Sequence, residues 1–383
     1  MPDLHVLFLP SWYSSKEQPS SGIFFKRQAL ALSRAGVRVG LIYPELVFSS
    51  GTDRRSSFLI DVSAQEDEIV EMRLTARVSR PLRPFARYWA ARKLLAEYQR
   101  RFGAPHLVHA HGALWAGVIA SFLPVPYVLT EHWSGYGERI VKPWQVPLIR
   151  RAFGRARASM AVSSALANDL RFYIGNVNIE VVPNVVDTNF FRPPSRPPAY
   201  PPLRLLSVAL LNRPKRLDLA IRALAHLVRW GMDVELDLGG DGPQRGELER
   251  LAHQLGVEGR VRFLGHLSPE GVRRAMHNAH IFVLPSEYET FGVVYAEALA
   301  CGLPVIATDR GGPKDFVIPE VGRLVPPGDE VALANAIAEM WKNHEQYDPN
   351  RLHDYAERRF SESAVAIRLI AIYDSVRTTH GEG

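Results

Sequence analysis

Apolar residues occur along the chain in short runs separated by amphipathic stretches, a pattern typical of buried strands that alternate with helices. Residues 4–9 form the first apolar run and predict a strand buried on both faces. After a Ser- and Pro-rich loop over 10–21, apolar positions at helical spacing predict a helix that Gly22 opens and Gly36 ends. A further apolar run over 37–42 completes a predicted strand–helix–strand unit.

The same alternation continues to the C-terminal part of the chain. Helices are predicted over 218–230 and 247–255. Further strands are predicted at 107–109, 127–129, 159–162, 181–182, 203–210, 234–238, 260–263, 281–284 and 304–308. Short apolar strands separated by helices predict an α/β fold, with parallel sheets covered by helices on both faces.

A change of composition divides the 383 residues into two α/β halves. Residues 193–202 contain six prolines in ten positions, which suits an extended linker. We predict an N-terminal Rossmann-like domain over 1–190, a linker over 191–202, a C-terminal Rossmann-like domain over 203–360 and a final helical segment over 361–383. We expect that last helix to pack back across the halves, and the ligand to bind in the cleft between the domains.

Composition narrows the class of protein. Apolar residues make up 46% and charged residues 22%, as in ordinary globular chains. A single cysteine, Cys301, excludes an intramolecular disulfide and a zinc site built from several thiolates. No apolar run approaches the roughly 18–20 residues that span a bilayer, and the N-terminus lacks the basic region of a secretory signal. We therefore expect a cytoplasmic protein.

The net charge of +6 is concentrated in the first half. One basic cluster holds a single acid, Glu97, and comprises Arg77, Arg80, Arg83, Arg87, Arg92, Lys93, Arg100 and Arg101. The other comprises Arg139, Lys142, Arg150, Arg151, Arg155 and Arg157. Such a surface attracts phospholipid headgroups, nucleic acid or a phosphorylated substrate. A solvated Arg-rich surface without a partner is the alternative.

The densest chemical signal lies over 284–298. A predicted strand ends at Leu284, and a helix is predicted to begin near Thr290, its N-cap, and to stop at Gly302. Free backbone N–H groups at that helix start suit a phosphate, and Gly292 leaves room for a ligand.

Two carboxylates, Glu289 and Glu297, bracket this predicted helix start. The helical rise puts them about 12 Å apart. That is too far for a proton-sharing pair or for the carboxylates of a hydrolase, which lie about 5–9.5 Å apart. The spacing fits two ends of an elongated ligand with phosphates between them. The alternative is a helix-surface Glu297 and a Glu289 that only favours the helix dipole.

These residues resemble the E-x7-E region of glycosyltransferase family 4, whose members are retaining, nucleotide-sugar-dependent enzymes of the GT-B fold. Family motifs also resemble, in the same order, residues 183–187 (Pro-Asn-Val-Val-Asp, with Val185 at the usual glycine), 240–243 (Gly-Asp-Gly-Pro), 261–265, 300–308, 311–312 and 322–326. The resemblance implies two Rossmann-like domains that face each other across a cleft.

The first half resembles the family more loosely. Residues 22–24 (Gly-Ile-Phe) resemble the first glycine loop, in which Gly22 would face the diphosphate and the acceptor. Residues 130–133 (Thr-Glu-His-Trp) resemble the strand-end motif whose histidine, here His132, contacts the donor sugar. His109 and His111 share one face of a strand. As a metal pair they lack a third ligand nearby, so a metal site is not predicted.

The resemblance implies a role for each site residue. Glu289 would hold hydroxyls of the donor sugar, Glu297 the ribose, and Lys215 the leaving diphosphate. The backbone of Thr290, Phe291 and Gly292 would hold sugar and phosphates, with Gly240, Gly242 and Gly265 also in the donor site. Leu210 stands where the family has an arginine, so Arg213 or Arg216 would supply the second charge.

Together these features predict a hexosyltransferase that moves a sugar from a nucleotide-diphosphate sugar to a glycan or lipid-linked acceptor. Retention of configuration follows from the resemblance. No Asp-x-Asp string occurs, so we expect no metal and no cofactor beyond the donor. Peripheral association with the inner face of an anionic membrane is a secondary expectation. The alternatives are a nucleotide-sugar epimerase or sugar phosphorylase on this fold, and a basic nucleic-acid-binding protein, for which no recognisable module is present.

Overall fold

The computed structural model describes residues 4–14, 21–47, 61–66, 68–77 and 83–378, which form two compact units. The first unit comprises Met1–Val162, Leu166–Val185 and Glu362–Gly383. The second comprises Ser163–Ala165 and Val186–Ser361. Most of the predicted loop over 10–21, and Arg80 of the first basic cluster, lie outside the described residues.

The first unit is built on an eight-stranded sheet. Its strands are β1 (His5–Pro10), β2 (Arg38–Val47), β3 (Asp61–Glu66), β4 (Val70–Arg77), β5 (Leu107–His111), β6 (Tyr127–Glu131), β7 (Ser159–Ala161) and β8 (Glu180–Val181). They lie in the order β3-β4-β2-β1-β5-β6-β7-β8. All neighbours are parallel except β3 and β4, which form an antiparallel edge that the apolar pattern does not predict.

Helices cover this sheet. They are α1 (Ile23–Arg34), α2 (Arg83–Phe102), α3 (Val118–Ala120), α4 (Val146–Arg155), α5 (Ser164–Ile174) and the C-terminal α12 (Glu362–Thr378). Strand β1 is buried along its whole length, because its central place in a covered parallel sheet leaves neither face to water.

The C-terminal helix belongs to the first unit. Buried Val365, Leu369 and Tyr373 of α12 share a core with Phe25 and Leu32 of α1. At the start of α12, Glu362 accepts hydrogen bonds of 2.7 and 2.8 Å from the guanidinium of Arg34. The apolar stripe and the ion pair together fix α12 against α1.

The second unit is built on a six-stranded parallel sheet. Its strands are β9 (Leu203–Val208), β10 (Val234–Gly239), β11 (Val261–Gly265), β12 (Ile281–Leu284), β13 (Val305–Thr308) and β14 (Gly322–Val325), in the order β11-β10-β9-β12-β13-β14. Its helices are α6 (Leu217–Arg229), α7 (Arg245–Gln254), α8 (Pro269–His277), α9 (Val293–Ala300), α10 (Glu330–Lys342) and α11 (Pro349–Phe360). The predicted α/β class with two Rossmann-like domains is confirmed.

The proline-rich stretch at 193–202 contains no helix or strand. It lies within the second unit, where the ring of Tyr200 packs 4.7 Å from that of Trp341 and 6.3 Å from that of His280. No helix in the described part of the chain is long and apolar enough to cross a membrane.

Candidate functional site

In the second unit, the loops at the carboxyl ends of β9 and β12 bring together Lys215 and Glu289. Nζ of Lys215 lies 2.6 Å from Oε1 of Glu289. The hydroxyl of Ser286 donates to the same oxygen at 2.8 Å, and the backbone N–H of Glu287 donates to the carbonyl of Pro214 at 2.7 Å. The loops are thus joined through main chain and side chains, at the sheet edge where open α/β folds bind ligands.

Two arginines beside Lys215 differ in what they contact. The guanidinium of Arg216 pairs with Asp218 through two contacts of 3.1 Å, which raise the pKa of Arg216. Arg213 is exposed and lines, with Arg216 and Glu287, a cavity of about 480 Å³. Because Asp218 already neutralises Arg216, Arg213 is the better placed of the two to offer a charge to an incoming anion.

Glycines of the loop after β10 let it lie directly on the loop after β9. A Cβ atom on Gly240 would collide with the carbonyl of Ala209, and one on Gly242 would come within 2.5 Å of the carbonyl of Leu211. The backbone N–H of Gly240 also donates to the carbonyl of Gly265 at 2.7 Å. These glycines therefore bring three strand-end loops to one place, close to the turn that carries Lys215.

The predicted helix start at Thr290 is wrong. Helix α9 begins at Val293, and its N-cap is Gly292 in the left-handed conformation, with φ of 84°. A Cβ on Gly292 would lie 2.6 Å from the ring of Tyr295, so both the conformation and the packing require glycine. Thr290 lies two residues before Gly292 and is not the N-cap.

The turn before α9 is fixed both by a buried side chain and by a backbone hydrogen bond. Phe291 is buried and packs its ring 5.3 Å from that of Phe316 and 5.5 Å from that of Phe360. The backbone N–H of Gly312 donates to the carbonyl of Glu289 at 2.8 Å and fixes the turn from the other side. The hydrophobic side chain of Phe291 anchors the turn in the core.

Glu297 lies within α9, whereas Glu289 lies in the turn ahead of it. The assumption of one continuous helix between them is therefore wrong, because residues 289–292 are not helical, and the helical rise does not measure their separation. Burial raises the pKa of the Cys301 thiol to about 12, and the negative charge of Glu297 makes a smaller contribution in the same direction. That thiol is consequently no nucleophile near neutral pH.

In the first unit, His132 follows directly after β6 and is buried beside His111. Nδ1 of His111 lies 3.1 Å from Nε2 of His132. The His132 ring packs 5.1 Å from Phe24 and 5.0 Å from Phe25. Gly22, the N-cap of α1 with φ of 68°, directs that helix so that its first turn carries these rings to the histidine.

The buried histidines are neutral. Burial lowers the pKa of His132 to about 3, against a smaller opposing effect of the neighbouring Asn184 side chain. It also holds the pKa values of His109 and His111 well below their usual range. The nitrogens of His109 lie 2.7 Å from the hydroxyls of Tyr373 and Thr130. No group of three or more His, Cys, Asp or Glu among the described residues could hold a metal ion.

Glu131, which sequence reasoning passed over, organises the loop around His132. It is buried, and its Oε1 accepts from the backbone N–H groups of His132 at 2.8 Å and Trp133 at 3.0 Å. Its Oε2 accepts from the N–H of Ala113 at 2.8 Å and the hydroxyl of Tyr136 at 3.0 Å. A glutamate at the end of an apolar strand, directly before the expected histidine, was the available signal.

Comparison with known proteins agrees with these features. Residues 22–190 match the model described as Glycosyltransferase Family 4, and residues 193–359 match that described as Glycosyl transferases group 1. A phosphatidyl-myo-inositol mannosyltransferase from Mycobacterium leprae is 30% identical over 284 residues, covering 70% of this chain and 71% of the relative.

A glycogen synthase from Mycobacterium tuberculosis is 33% identical over 247 residues, covering 61% of this chain and 59% of the relative. The match thus spans about three fifths of that synthase's length.

Solved structures share the fold across nearly the whole chain. A sucrose-phosphate synthase from Thermosynechococcus elongatus has a TM-score of 0.74 at 22% identity, covering 98% of this chain and all of the other. HepE from Anabaena, solved in complex with UDP, has a TM-score of 0.74 at 21% identity, covering 97% of this chain and all of the other. With both halves matched by family models, and with the mannosyltransferase relative 30% identical over 71% of its length, the chain belongs to glycosyltransferase family 4.

Proposed function

We propose that the protein transfers a hexosyl group from a nucleoside diphosphate sugar to a hydroxyl of a glycan or lipid-linked acceptor, with retention of anomeric configuration. The observation that carries the proposal is the contact between Lys215 and Glu289 at the carboxyl ends of β9 and β12. It brings a cation for a diphosphate and a hydrogen-bond acceptor for sugar hydroxyls to one point. The structural similarity to HepE, which was solved with UDP, and the sequence similarity to a mannosyltransferase support this class of donor.

The second unit supplies the groups that hold the donor. Lys215 and the exposed Arg213 stabilise the negative charge that develops on the leaving diphosphate, an electrostatic contribution that preorganised charges make well. Glu289 accepts hydrogen bonds from hydroxyls of the sugar, while the backbone of residues 290–292 holds sugar and phosphate. Glu297 binds the ribose. When the donor binds, Lys215 and Glu289 separate from each other. Lys215 then contacts the diphosphate, and Glu289 contacts the sugar hydroxyls.

The proposed reaction transfers the sugar directly to the acceptor, without a covalent enzyme intermediate. The bond between the anomeric carbon and the diphosphate oxygen breaks, and the bond from that carbon to the acceptor oxygen forms on the same face. The acceptor proton passes to the departing phosphate oxygen. His132, neutral because burial lowers its pKa to about 3, contacts the sugar as a hydrogen-bonding group and not as an acid.

The chain's own cations neutralise the diphosphate in this proposal, so turnover is expected to be independent of a divalent metal. The test is NMR detection of nucleoside diphosphate release from UDP-, GDP- and ADP-hexoses in the presence of EDTA, with a glycan mixture and a membrane lipid extract supplied as acceptors. We expect consumption of one donor by the wild-type protein and loss of turnover in Glu289→Gln. If none of these donors is consumed, with or without Mg²⁺, the proposal is wrong.

We further propose that the protein associates peripherally with an anionic membrane surface, on the cytoplasmic side, where a lipid-linked acceptor is presented. The supporting observation is the outer face of α2, where Phe85 is 76% and Trp89 is 42% exposed. Arg92, on the same helical face, is also exposed. Aromatic rings next to arginines are typical of surfaces that enter the headgroup region.

A second element extends the same surface. Phe122 is 53% exposed, and its ring lies 6.0 Å from that of Tyr88 on α2. The guanidinium of Arg151 lies 3.9 Å from the centre of the Phe122 ring. Arg92 of the first basic cluster lies 6.0 Å from the centre of the Tyr88 ring, so residues of both clusters meet around these aromatics. Arg100 and Arg101, farther along α2, pair with Glu97 instead.

A further inference from the structure

We propose that the first unit contains a tryptophan-lined cavity that binds one pyranose ring of the acceptor. The cavity has a volume of about 330 Å³, and its lining includes Trp12, Trp115, Trp133, Arg87, Gln145 and Glu131. This inference rests on the proposed glycosyl transfer and names the chemistry of the acceptor at the site. Nothing in the motifs of the sequence assigns a role to these tryptophans.

The walls of the cavity are flat and partly open to solvent. All three tryptophans are partly exposed, whereas Tyr136 beside them is fully buried. A pyranose has one face of C–H groups that packs on an aromatic ring, and hydroxyls around its edge that need polar partners. The combination of indole faces with Arg87 and Gln145 matches that amphipathic shape.

The size of the cavity favours a single ring. Its volume is at the lower end of small-molecule sites, which run from about 300 to 1,000 Å³. An extended lipid chain needs a longer groove. A nucleotide needs a positively charged or N–H-rich loop for its phosphates, and the glycines assigned to the donor site, Gly240, Gly242, Gly265 and Gly292, lie in the second unit.

The backbone at Trp115 is strained, and hydrogen bonds hold it in the conformation that positions the indole ring. Trp115 has φ of 74° and ψ of −71°, a strained combination for a residue with a large side chain. The hydroxyl of Ser11 holds the turn by donating to the carbonyl of Leu114 at 2.5 Å and accepting from the N–H of Ala116 at 3.1 Å. The guanidinium of Arg87 lies 5.1 Å from the centre of the indole.

The cavity and the histidine share one support. The carboxylate of Glu131 binds the N–H groups of Ala113 and Trp133, which belong to the two walls, and that of His132. Because one buried group fixes all three, a ring in the cavity lies next to the backbone that positions His132. A sugar bound there is therefore part of the acceptor. It is either the sugar that carries the reacting hydroxyl or the sugar next to it.

The experiment is saturation-transfer NMR of the full chain with methyl pyranosides of glucose, mannose, galactose and N-acetylglucosamine at millimolar concentration. Uridine and n-octanol serve as probes of the other ligand classes. We expect transfer to ring protons of at least one pyranoside, and a loss of affinity of about tenfold or more in Trp115→Ala and in Trp133→Ala. Trp230→Ala, an exposed tryptophan of the second unit, is the control and leaves the signal unchanged.

The outcomes separate this inference from the proposed function, because nucleoside diphosphate binding is measured on the same samples. Nucleotide binding with no pyranoside signal, or with a signal that both tryptophan variants retain, overturns the cavity assignment alone. Transfer to n-octanol or uridine that depends on Trp115 and Trp133, in place of the pyranosides, also overturns it. Pyranoside binding without any nucleotide binding contradicts the proposed donor and leaves the cavity assignment standing.

Discussion

Nδ1 of His111 lies 3.1 Å from Nε2 of His132, and both rings are buried. One of the two nitrogens must donate and the other accept, so the tautomer of His111 determines that of His132. Glu131 fixes the backbone of His132, while His111 fixes its ring. His132 is thus positioned by two neighbours at the ends of β5 and β6.

Burial of His132 makes stability depend on pH. An unfolded histidine binds a proton near pH 6.5, whereas the folded group does so only near pH 3. The stabilising effect is therefore present above pH 6.5 and is lost as the pH falls below that value.

We expect the free energy of unfolding, measured with urea between pH 7 and 4, to fall more steeply in the wild-type protein than in His132→Gln. The difference for one proton is at most about 1.4 kcal/mol per pH unit. Equal slopes for the two proteins would contradict neutral burial of His132.

Replacing Glu131 by Gln removes a buried acceptor pair. The carboxylate accepts four hydrogen bonds, three of them from backbone N–H groups that cannot reverse. The amide nitrogen of glutamine would face at least one of those donors, so we expect destabilisation of about 3 kcal/mol or more, measured by urea unfolding. Glu138→Gln, on the exposed part of the same loop, is the control. A change of under about 1 kcal/mol would contradict this role of Glu131.

Lys215→Met removes the proposed cation of the leaving-group site. Because the side chain is only partly buried, we expect the fold to persist, while kcat/KM for the donor falls about 100-fold or more. Nucleoside diphosphate affinity is expected to fall as well, measured by calorimetry. Lys342→Met, an exposed lysine at the end of α10, serves as the matched charge control and retains both. An active Lys215→Met enzyme would assign the diphosphate to other groups.

The exposed aromatics of α2 predict salt-sensitive membrane binding. Vesicles with anionic phospholipids are expected to carry the protein in flotation, and the double variant Phe85→Ser/Trp89→Ser to remain unbound. Ile367→Ser replaces a side chain that is 68% exposed on α12 of the same unit, and should float like the wild-type protein. Flotation that does not change with salt concentration would count against this surface. The same holds if Ile367→Ser abolishes flotation as fully as the double variant does.

The sequence was sufficient to predict the sheets and much of the donor half. Short apolar strands and helical periodicity have a local signal, and Lys215 and Glu289, widely separated in sequence, were assigned to one site through their motifs and meet at 2.6 Å. The helix start at Thr290 was misplaced because the decisive feature, the left-handed conformation of Gly292 against the ring of Tyr295, depends on packing.

The acceptor half was less predictable for a physical reason. Trp12, Trp115 and Trp133 lie far apart in the chain and form a cavity only because β1, β5 and β6 are neighbours in the sheet. The strained turn at Trp115 has a tryptophan where a glycine, asparagine or aspartate would signal a turn in the sequence. Likewise, Glu131 looks like an ordinary strand-end glutamate until its four donors are seen together.

The most direct test of the central claim is a thermal-shift panel of UDP, GDP, ADP and CMP with and without Mg²⁺, alongside Glu297→Ala. We expect one nucleoside diphosphate to raise the melting temperature of the wild-type protein, equally in EDTA, and Glu297→Ala to lose this effect. No stabilisation by any nucleotide, or stabilisation that Glu297→Ala retains in full, would contradict the proposed donor site.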